Sequence, residues 1–84
     1  MDVNSLMASL EDSISRYASS ENADPKILKE LNADRIGAQE AISKGGTWRS
    51  VVLGRSVWEW LPYPEDVVEV MGRLERAIDR QQLK

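Results

Sequence analysis

The fold of this chain is decided by residues 45–78, which read GGTWRSVVLGRSVWEWLPYPEDVVEVMGRLERAI. The glycine pair that opens the stretch is typical of a helix end, because glycine adopts the left-handed C-cap conformation without a Cβ penalty. Segments 47–53 and 56–61 are rich in β-branched and aromatic residues, which favour strands. Gly54 and Arg55 between them fit a two-residue type II′ turn, which has glycine first. The stretch therefore predicts a helix end followed by a β-hairpin.

The hairpin register predicts where the tryptophans lie. Trp58 and Trp60 fall on one face of the hairpin with Val51 and Arg49, and Trp48 falls on the other. Arg49 lies opposite Trp60 in this register, where we expect a cation–π contact. An isolated two-stranded hairpin is marginal in water, so at least one face must pack on helices. Tryptophan either fills a core or anchors an interface, and we expect at least one of the three rings to be substantially exposed.

A long amphipathic helix is predicted after the hairpin. Pro64 suits its first position, and Glu65 and Asp66 favour the positive end of the helix dipole. The apolar residues of this helix recur at spacings of three and four, which places them on one face. They are Val67, Val68, Val70, Met71, Leu74 and Ile78.

Two further helices are predicted before the hairpin. The first covers residues 4–17 with Asn4 as its N-cap, and it either packs in the core or forms an arm that docks on a neighbouring copy. Residues 18–23 are small and polar and predict a linker. The second helix has Asp24 as its N-cap and Pro25 at its first position. Their apolar stripes comprise Val3, Leu6, Met7, Leu10, Ile14 and Tyr17 in the first, and Ile27, Leu28, Leu31, Ala38, Ala41 and Ile42 in the second.

These elements predict an α+β fold with an N-terminal helix, a second helix, a two-stranded antiparallel β-hairpin and a C-terminal helix. With 84 residues the chain forms one domain, residues 1–84. Within it we expect a helical arm at 1–17, a linker at 18–23 and a helix–hairpin–helix core at 24–80.

The composition argues against an enzyme and against a metal or cofactor site. The chain contains no histidine and no cysteine, which removes the usual general base, the thiolate nucleophile and the commonest metal ligands. The acids do not have the spacing of a calcium loop, and the sequence contains no GxGxxG, P-loop or HExxH motif. We therefore predict no catalytic residue, no metal ligand and no cofactor.

The net charge of −3 makes nucleic acid an unlikely partner, because coating phosphates requires a basic surface. The N-terminus lacks the basic and apolar regions of a signal peptide, and no apolar run approaches the roughly 20 residues of a membrane span. We expect a soluble protein that is not secreted and has no membrane contact.

Charge is distributed unevenly along the chain. Residues 1–34 are rich in acids, whereas the C-terminal segment carries Arg73, Arg76, Arg80 and Lys84. Poles of opposite sign suit association between copies or with another protein, so we expect a homo-oligomer. The predicted protein-interface residues combine these arginines with the aromatic and basic residues of the hairpin. They are Arg49, Arg55, Trp58, Trp60, Arg73, Arg76 and Arg80.

Residues 33–80 resemble the small phage head–tail joining proteins of the lambda gpW type. In that family a helix ends in glycine just before the first strand, as in Ala41-Ile-Ser-Lys-Gly-Gly46. A short basic-plus-valine strand follows, as in Trp48-Arg-Ser-Val-Val-Leu53, and a Gly-Arg turn leads into the second strand, as in Gly54-Arg-Ser-Val-Trp58. A helix whose first residues are acidic completes the pattern. This chain has an additional acidic helix and linker at its N-terminus, and its turn is shorter than is usual in the family.

The resemblance implies a non-enzymatic virion part. Such proteins assemble as a ring at the portal of a filled head and create the surface to which the tail attaches. The implied partners are therefore portal and tail components. The implied location is the virion or the host cytoplasm. The alternative is a small regulatory protein-binding module, such as a phage-encoded inhibitor or a transcription-associated factor, that acts as a monomer or dimer. A third hypothesis is a nucleic-acid-binding domain that uses Arg49, Arg55 and the basic C-terminal helix.

Overall fold

The computed structural model describes residues 2–58 and 63–82, with the side chains of residues 2–54 and 63–81. Within these residues the chain forms four α-helices, which are α1 (Val3–Ala18), α2 (Pro25–Lys44), α3 (Val51–Trp58) and α4 (Glu65–Gln82). No β-strand occurs in the part of the chain that is described. The predicted α+β fold is therefore wrong, and the protein is all-helical over this part.

The predicted β-hairpin is replaced by α3. Residues 51–58 are helical, and Gly54, which was expected to have a positive φ as the first turn residue, lies inside this helix. Gly45 is the residue with a positive φ among the described glycines. The predicted second strand covers residues 56–61, and its last three residues lie outside the described residues.

The physical reason for this difference is the polar environment of the start of α3. The apolar residues in a short continuous run such as Val51-Val52-Leu53 fit a buried strand and a buried helix equally well. β-propensity measures the fit of a side chain to a pleated, half-buried surface, so tertiary contacts override it. Here Ser50 acts as an N-cap, because its hydroxyl accepts a hydrogen bond from the Leu53 N–H at 3.1 Å. Side chains from two other helices complete the cap, as described below.

The predicted ends of α2 are confirmed, whereas α1 and α4 begin differently from the prediction. Asp24 caps α2 and accepts from the Lys26 N–H at 2.8 Å, and Gly45 ends that helix with φ 74°. The cap of α1 is Asp2 rather than the predicted Asn4, because its carboxylate accepts from the Ser5 N–H at 2.7 Å. In α4, Pro64 lies one residue before the first helical position and its carbonyl accepts from the Val68 N–H.

The core lies between α1, α2 and α4, and α3 covers one end of it. Leu10 from α1, Leu31 from α2 and Leu74 from α4 are fully buried. Among the described side chains of α3, Val52 is fully buried. The helix α1 is thus part of the core of its own chain. Tyr63 ties the start of α4 to α2, because its hydroxyl donates a hydrogen bond to the Glu30 carboxylate.

The buried apolar faces largely match the predicted stripes. In α4, Val67, Met71 and Ile78 are buried as expected, whereas Val68 and Val70 are half-buried at its flanks. Trp48 is buried against α2, where Gly37 makes room for its ring. In the described residues, none of the helices combines the length and the apolar character required to cross a bilayer.

Candidate functional site

A buried carboxylate on α2 holds the N-terminus of α3. Asp34 is 6% exposed and accepts three hydrogen bonds, from the Ser50 hydroxyl at 2.5 Å, from the Val51 N–H at 3.2 Å and from the Val52 N–H at 3.0 Å. The first N–H groups of a helix have no partner within the helix, and they carry the positive end of its dipole. Asp34 therefore caps a helix other than its own.

Two acids of α4 complete the junction between α2 and α3. Glu75 accepts from the Ser50 N–H at 3.0 Å, and Asp79 forms an ion pair with Arg49 at 2.9 Å. Asp79 raises the pKa of the Arg49 guanidinium above its ordinary value through this hydrogen bond and its charge. The segment that leads into α3 is thus held from both sides.

Ser50 connects the two sides of this junction. Its hydroxyl donates to Asp34 and accepts from the Leu53 N–H. Among the described residues, no three acids are grouped so as to hold a metal ion. What the junction does is fix the position and orientation of α3.

Val51, the first residue of α3, presents an apolar side chain to solvent. Val51 is 59% exposed, although the next residue, Val52, is fully buried. Positions 55 and 58 follow position 51 by four and seven residues, which places them on the same helical face. Gly54 is also exposed on this helix. We call positions 51, 55 and 58 the α3 outer face; in the sequence they are Val51, Arg55 and Trp58.

The predicted arginines of α4 share an exposed face. Arg73 pairs with Glu69 at 2.6 Å within the helix. Arg76 and Arg80 are exposed and make no ion pair with the described residues, so their charges point to water. Their exposure agrees with the expectation that they lie off the buried stripe, and their role in an interface stays a prediction.

The structure separates the predicted interface residues into distinct places. Arg49 lies at the junction, where its guanidinium bonds Asp79 and the Trp48 carbonyl. Arg55 and Trp58 belong to α3, and Trp60 lies outside the described residues together with the predicted cation–π contact. The three arginines of α4 form a separate group. The predicted interface residues that are described thus belong to three parts of the chain, and their role in an interface stays a prediction.

Sequence reasoning missed the residues of the junction, namely Asp34, Ser50 and Glu75. One signal was present: Asp34 falls in the apolar stripe of α2, between Leu31 and Ala38, where a charged residue requires a buried partner. A serine before a run of apolar residues is also a helix N-cap signal. Glu75 gave no such signal, since it lies among other charged residues of α4.

Comparisons of this chain with protein-family models, with curated protein sequences and with solved structures found no match.

Proposed function

We propose that this protein is a non-enzymatic binding subunit that recognises another protein through the α3 outer face. The observation that carries the proposal is the exposure of Val51, at 59%, on a helix whose other described side chains pack inward or are half-buried. On this face, an exposed valine is followed by an arginine and a tryptophan. Aromatic residues and arginine are enriched at the centres of protein interfaces, so the composition of the face is that of an interface centre.

The other exposed large apolar residue of the described chain provides a comparison. Ile36 on α2 is 50% exposed, but its helical neighbours three and four residues away include Asn32, Gln39 and Glu40. A single exposed apolar side chain among polar neighbours is ordinary protein surface. Val51 differs because Arg55 and Trp58 follow it on one helical face.

The junction supports this proposal energetically. A binding element that is already held in its bound geometry loses less conformational entropy when the partner arrives. The hydrogen bonds from Asp34 and Glu75 fix the first turn of α3 to two separate helices. The buried carboxylate thus serves to present a short helix that would not be stable alone.

The narrower role of a head–tail connector was predicted from a hairpin that α3 replaces, so it gains no support from the fold. Ring assembly at a portal, portal and tail partners, and location in the virion or host cytoplasm stay predictions. The broader proposal of protein binding does not depend on the hairpin.

The proposal is tested with a photo-crosslinking amino acid placed at position 51, with position 36 as the matched control. Both positions carry a half-exposed β-branched residue on a helix. We expect a defined protein to be crosslinked from position 51 and not from position 36. That protein is then purified, and its binding is measured by calorimetry.

With the purified pair, Val51→Asp should weaken binding at least tenfold, because a charge at the centre of an interface loses its hydration without gaining a partner. Ile36→Asp should leave binding unchanged. Equal crosslinking from both positions, or equal affinity of the Val51→Asp variant and the wild type, would refute the α3 outer face as the binding surface.

A further inference from the structure

The exposed face of α4 carries its charges in two blocks of opposite sign. Five exposed residues recur at spacings of three and four along this face, and we call them the α4 charge stripe. They are Glu65, Glu69, Arg73, Arg76 and Arg80. The first block is acidic and the second is basic. The stripe spans about 22 Å at the rise of an α-helix, and no described element of the chain covers it.

The order of the charges along the stripe agrees with the helix dipole, because the acids lie near the N-terminus of α4 and the arginines near its C-terminus. This order also leaves like charges four residues apart, at Glu65 and Glu69 and at Arg76 and Arg80, and these repel each other on a helix surface. The favourable pair of the stripe within the helix joins Arg73 to Glu69. Most charges of the stripe are therefore available to a second molecule of complementary charge.

We propose that α4 pairs antiparallel with α4 of a second copy of this chain, around a two-fold axis that passes between Gly72 and Arg73. In this register Glu65 faces Arg80 of the second copy, and Glu69 faces Arg76 of the second copy. The two-fold axis repeats both pairs, so four opposite-charge pairs form from one self-complementary surface. Isologous pairing of this type is the commonest symmetry of homo-oligomers.

The centre of the stripe permits close approach of two helices. Gly72 lies next to the midpoint of the stripe, is half-buried and has no side chain to separate the two backbones. A Cβ atom at this position would contact only the Arg76 guanidinium, 3.9 Å away. The fold of the single chain therefore does not require glycine at position 72, whereas a close helix crossing gains from it.

The charges that flank the stripe do not compete with this pairing. Asp66 on one side pairs with Arg16 of α1 at 3.2 Å, and Asp79 on the other side pairs with Arg49 at 2.9 Å. Both acids are satisfied within the chain. The second copy thus neutralises Glu65, Arg76 and Arg80, which make no ion pair with the described residues, and gives Glu69 a further partner besides Arg73.

The association is expected to be weak and strongly dependent on salt. Exposed ion pairs contribute little each and are screened over about 8–10 Å at physiological ionic strength. A single pair of helices gives a small interface, of the class found in transient complexes. The surface is also distinct from the α3 outer face, so this inference and the proposed function stand or fall separately.

Charge reversal with complementation tests the pairing. The acidic variant carries Arg76→Glu and Arg80→Glu, and the basic variant carries Glu65→Arg and Glu69→Arg. Wild-type protein should dimerise in sedimentation equilibrium at low salt, and the dimer should dissociate as salt is added. Each variant alone should bind itself at least tenfold more weakly than the wild type. An equimolar mixture of the two should form a heterodimer, because all four opposite-charge pairs are then restored, two of them with reversed polarity.

Circular dichroism establishes that both variants are folded. If a reversal variant unfolds, Arg76→Gln with Arg80→Gln takes its place, and we expect at least fivefold weaker dimerisation. Gly72→Ala supplies a second readout, since it should raise thermal stability of the monomer and weaken the dimer. A monomeric wild type at millimolar concentration and low salt, or reversal variants that dimerise like the wild type, would overturn the inference. Loss of the dimer with Val51→Asp alone would also overturn it, because it would assign dimerisation to α3.

Discussion

Removal of the Asp34 carboxylate is the perturbation to which this fold should be most sensitive. Asp34→Ala deletes the acceptor of three hydrogen bonds and leaves the Val51 and Val52 N–H groups unpaired at the start of α3. A buried donor without a partner costs about 1–3 kcal/mol, and this cost applies to the Val52 N–H. The Val51 N–H is part-buried, so water can replace its lost acceptor and the cost is smaller. The Ser50 hydroxyl also loses less, because the Met71 sulfur lies 3.6 Å away as a weak acceptor. We therefore expect the substitution to lower the free energy of unfolding by about 2–4 kcal/mol, with the Val52 N–H as the main cause.

This loss is a large share of the total stability. A chain of this length has a free energy of unfolding of about 4–13 kcal/mol on the usual per-residue scale. The milder Asp34→Asn variant keeps the shape and one acceptor oxygen, so we expect about half the loss, roughly 1–2 kcal/mol. Urea unfolding followed by circular dichroism measures both variants. Hydrogen exchange should show that the amides of Val51 and Val52 lose protection first.

The matched control is Asp12→Ala on α1. Asp12 is exposed and pairs with Arg16 at 3.1 Å, and surface pairs of this kind contribute less than about 1 kcal/mol. A double-mutant cycle of Asp34→Ala with Ser50→Ala should give a coupling energy of about 1 kcal/mol or more. If Asp34→Ala costs no more than Asp12→Ala, then Asp34 does not cap α3 and the reasoning is refuted.

Three further predictions concern helix ends and packing. Gly45→Ala should destabilise by about 1–2 kcal/mol because φ is 74°, whereas Gly46→Ala should change urea-unfolding stability by less than about 0.5 kcal/mol. Gly37→Leu should lower the free energy of unfolding by about 1–3 kcal/mol, because even a Cβ atom added at position 37 would lie 3.3 Å from Trp48 Nε1. The substitution should also shift the NMR signal of the Trp48 indole N–H, and an unchanged signal would contradict this packing. The hydrogen bond from the Ser5 N–H lowers the pKa of Asp2 below its ordinary value of 3.8. The stability that this cap contributes is therefore present above pH 3.8 and is lost as the pH falls through the lower pKa of the folded state. NMR titration of the Asp2 carboxyl should show this, and Asp2→Asn should remove that part of the acid dependence.

Much of the helical frame could be predicted from the sequence because its signals are local. Asp24 and Pro25 begin α2, and Gly45 ends it, each through the backbone geometry of the residue itself. The apolar stripes of α1, α2 and α4 have the helical period over several turns. Such patterns are reliable because many residues repeat the same signal.

The nature of α3 could not be predicted from the sequence because its cause is remote. Residues 51–58 have strand-like composition, and their helical state depends on Asp34, which lies 16 residues before Ser50, and on Glu75, which lies 25 residues after it. Only part of the candidate surface could be predicted, because contacts between residues far apart in the sequence also decide where its residues lie. Val51 and Trp58 share a face in both the predicted hairpin and the observed helix, but Arg49 belongs to the junction and the arginines of α4 to a separate face.

The unfolding free energy of the Gly54→Ala variant tests the central claim, that residues 51–58 form a helix which presents the α3 outer face. Gly54 is exposed inside α3, and a Cβ at this position would contact nothing within 4 Å. Alanine is more favourable than glycine in a helix interior by about 1 kcal/mol. If residues 51–58 are helical, we expect Gly54→Ala to be more stable than the wild type by about 0.5–1 kcal/mol. A loss of stability of about 1 kcal/mol or more, as expected for a turn glycine with positive φ, would contradict it.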